Sequence, residues 1–185
     1  MKSILSFLWE VAKITVLTLA IIIPVRYFLV QPFFVKGASM EPNFQDGQYL
    51  VVDEISYRFR LPERGEVIVF RYPGDTKEFF IKRIIGLPGE TVDISDNRIE
   101  IINADHPLGF VLDENSYLPS SIATSGNIKQ TLGPDQYFVL GDNRVASFDS
   151  RQWGILPKND ITGRVWVRAW PPQVAKVFAA PEYSY

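Results

Sequence analysis

Between Ile14 and Val25 the chain runs through twelve uncharged residues, ITVLTLAIIIPV, and no other stretch of its 185 residues is like it. Apolar residues continue on both sides, from Leu5 to about Leu29. A helix over the twelve alone rises about 18 Å, short of a hydrocarbon core of roughly 30 Å. The longer stretch has the length but takes in Glu10, Lys13 and Arg26. Glu10 and Lys13 are spaced to pair on one helix face. Lys13 and Arg26 lie near the two ends, where long side chains reach the interface. Pro24 is tolerable near the end of a membrane helix. No small-x-small site follows the run before the bulky QPFFVK segment, which argues against a cleaved leader. A buried or interfacial helix is the other alternative. The expectation is one transmembrane helix within an anchor over residues 1–30. Charge does not set its direction, because Lys2 and Lys13 on one side face Arg26 and Lys36 on the other.

After Gln31 the pattern changes to short runs rich in β-branched and aromatic residues, broken by glycine, proline and aspartate. The candidate strands are Tyr49–Asp53, Glu66–Tyr72, Phe79–Ile85, Thr91–Ile94, Arg98–Ile102, Gln136–Leu140 and Ile161–Val167. Turn signals fall between them at Pro73-Gly74, Pro88-Gly89, Asp96-Asn97 and Gly133-Pro134-Asp135. Residues 103–130 are rich in Ser, Asn, Asp, Pro and Gly and read as a loop-like insertion. The expected fold is mainly β over residues 31–185, a folded antiparallel sheet or partly closed barrel.

Composition removes much of catalytic chemistry. There is no cysteine, so disulfides, thiolate nucleophiles and thiolate metal sites are absent. The single histidine, His106, sits in the insertion, where no apolar strand positions it for a triad with Ser39. A net charge of −2 argues against nucleic acid as a partner. Arg58, Arg60 and Arg64 form a modest basic cluster, read as a solvated face or a lipid-headgroup contact. Carboxylate, serine, threonine and lysine chemistry remains.

Three constellations could carry it. Gly37-Ala38-Ser39-Met40-Glu41-Pro42 follows the apolar segment, and small residues before Ser39 leave its hydroxyl and N–H approachable. Lys82 lies inside Phe79-Phe80-Ile81-Lys82-Arg83-Ile84-Ile85, where Phe80, Lys82 and Ile84 share one face and Ile81, Arg83 and Ile85 the other. Whichever face meets the core takes a cation with it, and burial would lower a lysine pKa toward neutrality. The bland alternative is an edge-strand lysine reaching to water. The third is Leu140-Gly141-Asp142-Asn143-Arg144 with Ser147, Asp149, Ser150 and Arg151. Asp149 and Arg151 are close enough to pair, and Ser147 offers a hydroxyl to orient an amine. A polar turn with surface ion pairs is the alternative there, and an aspartic dyad of Asp142 and Asp149 a remoter one.

In this order the segments QPFFVKGASMEPNF, RGEVIVFRYP, FIKRIIGLPGE and LGDNRVASFDSRQWG, behind an apolar helix, resemble the type I signal peptidases, the bacterial leader peptidases. These are membrane-anchored serine proteases with a serine–lysine dyad. The resemblance implies Ser39 as nucleophile, Lys82 as general base and Ser147 as the group orienting the lysine amine. Asp142, Asp149 and Arg151 would support the site. Some members carry a serine two positions before the nucleophile as an oxyanion donor; here that position is Gly37. Substrates would be exported preproteins with small residues at −1 and −3, in pockets built by Phe33, Val35, Phe80 and Ile81, with specificity resting on exclusion of large side chains. The extended substrate would dock beside strands near Ser39 and Lys82. The resemblance implies no metal and no organic cofactor, membrane lipid as a partner, and a catalytic domain on the extracytoplasmic side of the cell membrane. It leaves a protein-export translocase open as a further partner. A self-cleaving repressor with the same dyad is disfavoured by the apolar helix, and a silent peptide-binding β-domain by the joint presence of Ser39, Lys82 and Ser147.

Overall fold

A computed structural model describes residues 2–28, 30–181 and 183. Its elements in chain order are α1 (Lys2–Phe28), β1 (Val30–Phe34), β2 (Tyr49–Asp53), β3 (Val67–Tyr72), β4 (Asp75–Gly86), β5 (Thr91–Ser95) and β6 (Arg98–Ile102). They continue with β7 (Phe110–Val111), β8 (Ile128–Thr131), β9 (Gln136–Leu140), α2 (Ser150–Trp153), β10 (Leu156–Pro157), β11 (Ile161–Trp170) and β12 (Lys176–Val177). The seven expected strands are all present. β4 starts four residues earlier than expected and β11 runs three residues further. β1 was not among the expected strands because Pro32 interrupts its pattern, but β1 ends the sheet, where a missing ladder donor is tolerated.

Pairing is antiparallel throughout and builds two sheets. The larger has the order β1-β2-β11-β3-β4-β9-β10 with β12 added on β11, and the smaller the order β7-β6-β5-β8. Asp96 and Asn97, with φ of 49° and 60°, form the two-residue turn between β5 and β6 that the sequence signalled. The insertion is more than a loop. It supplies β7 and the start of β8 to the small sheet and buries Leu112 and Leu118.

The strand VIVF of β3 is buried on both faces, which accounts for its unbroken apolar run. On one face Val67 and Val69 join Val35, Met40, Phe44, Leu50 and Val52, with Phe33 and Ile81 packed against them. On the other, Ile68 and Phe70 join Ile84, Tyr137 and Val139, with Phe80 against them. A third core, with Ile85, Val92, Ile94, Ile101 and Phe138, joins the two sheets. The large sheet curls, so that Phe33 of β1 lies with its ring centroid 5.4 Å from that of Phe79 of β4, although β2, β11 and β3 intervene in strand order. No ladder joins β1 to β4 among the described residues, so the expected partial barrel is not closed. The gap stays open because β9 pairs with β4 only from Arg83 to Gly86, leaving the edge before Arg83 without a neighbouring strand.

The basic cluster departs from expectation. Arg64 is buried and paired with Glu90 at 2.6 Å, and the partly exposed Arg60 pairs with the buried Glu66, while Arg58 stays on the surface as expected. The N-terminal expectation also needs correction. α1 has 27 residues, but among the described residues no helix is long and apolar enough to cross a membrane. Lys13 and Arg26 bound the uncharged run at about 18 Å of helix, and Glu10 adds a third charge close by. Ile4, Leu5, Trp9, Ile14 and Leu17, spread around the helix circumference, are nonetheless each more than half exposed.

Candidate active site

Ser39 is presented by a loop pinned at three apolar points. Val35, Met40 and Phe44 sink into the core beneath β2 and β3. Glu41 N–H donates to the Ala38 carbonyl and Phe44 N–H to the Met40 carbonyl, turning the chain so that Ser39 stays near the surface while Met40 is buried. Gly37 holds φ at +82°, a conformation that favours glycine, and its N–H donates to Asp46 Oδ1 at 2.7 Å.

β4 brings Lys82 to this loop across 43 residues of sequence, and Lys82 Nζ donates to Ser39 Oγ at 2.8 Å and to the Ile81 carbonyl at 2.9 Å. Lys82 is only 4 % exposed. Its ammonium has no carboxylate in salt-bridge contact among the described residues. Burial lowers its pKa from 10.5 to about 8, while the more distant charges of Asp149 and Asp142 oppose that shift without reversing it. The Phe80 ring, whose centroid is 5.4 Å from Nζ, flanks the same face.

The segment after β9 braces both. Asn143 N–H donates to the Ser39 carbonyl at 3.1 Å, and Asn143 Nδ2 to the Ala38 carbonyl at 3.1 Å. Asp142 is fully buried and holds Arg83 through two hydrogen bonds of 2.8 and 2.6 Å, while accepting from Asn43 Nδ2 at 2.8 Å. Asp149 accepts from Gly141 N–H at 3.0 Å and from Arg151 Nε and Nη2 at 2.8 and 2.9 Å, and caps α2. Each aspartate is thus held by its own arginine, and the two do not form a dyad. A Cβ built on Gly141 would collide with Ser147 Oγ and the Ser39 carbonyl, so only glycine lets this segment approach the nucleophile loop.

Ser147 is buried beside this contact, but its Oγ has no hydrogen-bond partner, so the expected bond to the lysine amine is not made in this structure. His106 lies in the turn between β6 and β7, against Phe110, and not in the cleft. Phe33, Val35, Phe80 and Ile81 all line a cleft of about 390 Å³ that opens onto Ser39 and Lys82. Sequence reasoning missed Leu50 and Val69 in its floor and Phe34 and Phe148 on its rim. It gave no role to Asn43, nor to Arg83, Asn143 and Arg144, although these three stood inside the constellations it singled out. Arg83 stood next to Lys82 and was legible as a second cation in an apolar strand. The amides gave no signal without the fold.

Chemically, the arrangement sets a hydroxyl against a buried amine whose proton is loosened, at the end of an open apolar cleft. That is the requirement for a serine nucleophile with a lysine base.

The family model described as signal peptidase, peptidase S26, matches residues 8–170. A probable signal peptidase I-2 of Synechocystis sp. is 40% identical over 168 residues, 88% of this chain and 73% of that protein. A signal peptidase I of Leptolyngbya laminosa is 38% identical over 90% of this chain and 81% of its own length, and signal peptidase I V of Bacillus subtilis 34% identical over 84% and 94%. A crystal structure of a signal peptidase I from Enterococcus faecalis covers 57% of this chain and 97% of its own at 28% identity, with a TM-score of 0.47.

Proposed function

The chain belongs to the signal peptidase family, peptidase S26, serine endopeptidases, and from that premise we propose that it removes N-terminal signal peptides from exported preproteins, cutting after small residues at −1 and −3. The observation that carries this reading is the 2.8 Å hydrogen bond from Lys82 Nζ to Ser39 Oγ inside a site that lowers the lysine pKa to about 8. At pH 7 roughly a tenth of such lysines are neutral.

Neutral Lys82 takes the Ser39 hydroxyl proton as Oγ bonds to the scissile carbonyl carbon. The oxyanion that forms is met by the Ser39 N–H. The Lys82 ammonium then protonates the departing amine of the mature protein, leaving the signal peptide esterified to Ser39. Water, deprotonated by Lys82, adds to that ester; the oxyanion collapses, and Ser39 Oγ leaves with the proton. Asp142, Asp149 and Arg151 act at a distance, by fixing the segment that clamps the Ala38 and Ser39 carbonyls. Ser147 is the remaining acceptor for orienting the amine.

An extended substrate fits the gap between β1 and β4, whose facing edges offer backbone groups on both sides. The floor there is built by the apolar side chains of Val35, Leu50, Val69 and Ile81, and selection of small residues at −1 and −3 is assigned to it in this reading. α1, with the apolar side chains of Ile4, Leu5, Trp9, Ile14 and Leu17 exposed, is the segment that associates with the membrane in this reading. Residues 31–185 form the catalytic domain on the extracytoplasmic side. Membrane lipid is the accompanying partner in this reading.

The test is to incubate the detergent-solubilised protein with an Ala-x-Ala preprotein, beside Ser39→Ala and Lys82→Ala, and locate the cut by mass spectrometry. Cleavage after the −1 alanine is expected from wild type alone. Cleavage that survives Lys82→Ala moves the base elsewhere. Absence of cleavage by folded wild type, in lipid as in detergent, favours a silent peptide-binding domain.

A further inference from the structure

The two sides of the cleft differ. Along β4, Ile81 packs on the core face that holds Val35, Leu50 and Val69, while Phe80 packs on the opposite face with Phe70. Along β1, Phe33 sides with Ile81, and its neighbour Phe34 turns away to meet Tyr49 at 5.0 Å between ring centroids. On the same side as Phe80, Phe148 stands 51% exposed, with its ring centroid 6.4 Å from that of Phe80 and 5.7 Å from that of Tyr72. Tyr72 in turn stacks on Phe80 at 4.8 Å. Phe34, Phe80 and Phe148 all line the cleft.

An extended chain in the gap presents alternate side chains to these two sides. The −1 and −3 residues therefore share one side and the −2 residue takes the other. Small side chains at −1 and −3 suit the closed floor of Val35, Leu50, Val69 and Ile81. We infer that the −2 residue enters a slot between Phe34 and the Phe80–Phe148 pair, and that this chain selects apolar side chains at −2. The inference rests on the proposed peptidase function. An apolar −2 side chain covers exposed aromatic surface, whereas a charged one loses water there and gains no polar partner from the three rings; the exposed Lys36 also lines the cleft, so a basic −2 residue is the charged comparison that no ion pair rescues. Phe148 is the specificity-determining residue of the slot, because it is the most exposed of the three and lies only one position after Ser147.

The experiment uses the full chain in detergent and one preprotein carrying Ala-x-Ala, with x as Leu, Phe, Gly, Asp or Lys. The expected kcat/KM with Leu or Phe exceeds that with Lys by about tenfold. Phe148→Ala narrows that ratio to within about threefold. Phe148→Lys raises the Asp substrate relative to Leu. Phe148 is half exposed, so both variants retain the fold, and the ratio between substrates is the readout. Equal cleavage of all five by wild type, or an unchanged profile in both variants, overturns the inference while leaving the peptidase reading intact. Failure to cut any of the five overturns the peptidase reading and this inference with it.

Discussion

Lys82 and Arg83 are neighbours on β4, point to opposite faces, and are both nearly inaccessible, at 4% and 6% exposure. Their surroundings are otherwise unlike. Arg83 has a bidentate carboxylate in Asp142, a carbonyl in Gly65 at 2.8 Å, and the Tyr117 ring with its centroid 4.0 Å away. Lys82 has a hydroxyl and a carbonyl, and no salt-bridging carboxylate among the described residues. At Arg83 burial pulls the pKa down, but the charge and hydrogen bonds of Asp142, with its other neighbours, together raise it, whereas burial prevails at Lys82 and lowers it. One strand thus carries a cation that the fold compensates and a cation that it leaves exposed to its own desolvation. The first kind holds a structure together. The second is available for proton transfer.

The largest expected effect separates the two kinds by activity. Lys82→Met removes the proton acceptor and should lower kcat/KM on an Ala-x-Ala preprotein by about 10³-fold or more. It also removes an uncompensated buried charge, so the melting temperature at pH 7 should hold or rise. A variant that keeps activity, or unfolds, would place Lys82 with Arg83 as a structural cation and end the contrast.

Arg83→Met should do the reverse to stability. It strands the fully buried Asp142 carboxylate, and breaking such a pair costs about 3–5 kcal/mol in urea unfolding. Activity should fall as well, but only as far as Asp142 loses its hold on Asn43 and the nucleophile loop. If Arg83→Met costs under about 1 kcal/mol, the compensation ascribed to Asp142 is not a stabilising term.

These two residues also mark what the sequence could and could not reveal. A strand reading FFIKRII has to bury a cation if either face is covered, and its alternation is visible in seven letters. The partner of Arg83 is not visible in that way, since Asp142 lies 59 residues away and only the β4–β9 ladder brings them together. Ser39 was legible through the order of the motifs and the small residues before it. Asn143, which holds two carbonyls of its loop, was one polar residue among many in a turn. β1 stayed hidden because Pro32 breaks its pattern, and strand-edge position is a property of the finished sheet. The insertion looked structureless because Leu112 and Leu118 are separated by polar residues, yet both find the core.

pH should act on Lys82 alone of the two. kcat/KM should rise tenfold per pH unit below about 8 and level off above it, as neutral lysine accumulates. Stability should follow a linked course. Below about pH 8 Lys82 is protonated in both native and unfolded chains, and its burial penalty is constant. Between about 8 and 10.5 the native chain has lost the proton while the unfolded chain retains it, so the unfolded state binds more protons and stability rises with pH. The rise attributable to this group is on the order of 3 kcal/mol, and comparison with Lys82→Met isolates it. An identical pH dependence in wild type and variant would mean that Lys82 is not desolvated.

A third buried cation tests whether compensation scales with the burial of the partner. Arg144 is as enclosed as Arg83, with its side chain at 0% exposure, but its carboxylate, Glu114, is 16% exposed and belongs to the insertion. Arg144 also donates to the Gly141 carbonyl at 2.9 Å and to Thr124, so it keeps partners when the glutamate is neutralised. Glu114→Gln preserves the shape, removes the charge and leaves one of the two acceptors that Arg144 uses. The expected cost is about 1 kcal/mol, well below that of Arg83→Met, because a partly solvated carboxylate returns less of the arginine's desolvation. The change should appear as faster hydrogen exchange in residues 113–125 before it appears in global unfolding, since the ion pair fastens that segment to the end of β9. A loss as large as that of Arg83→Met would show that the insertion, rather than the Asp142 pair, braces the segment against which the nucleophile loop rests.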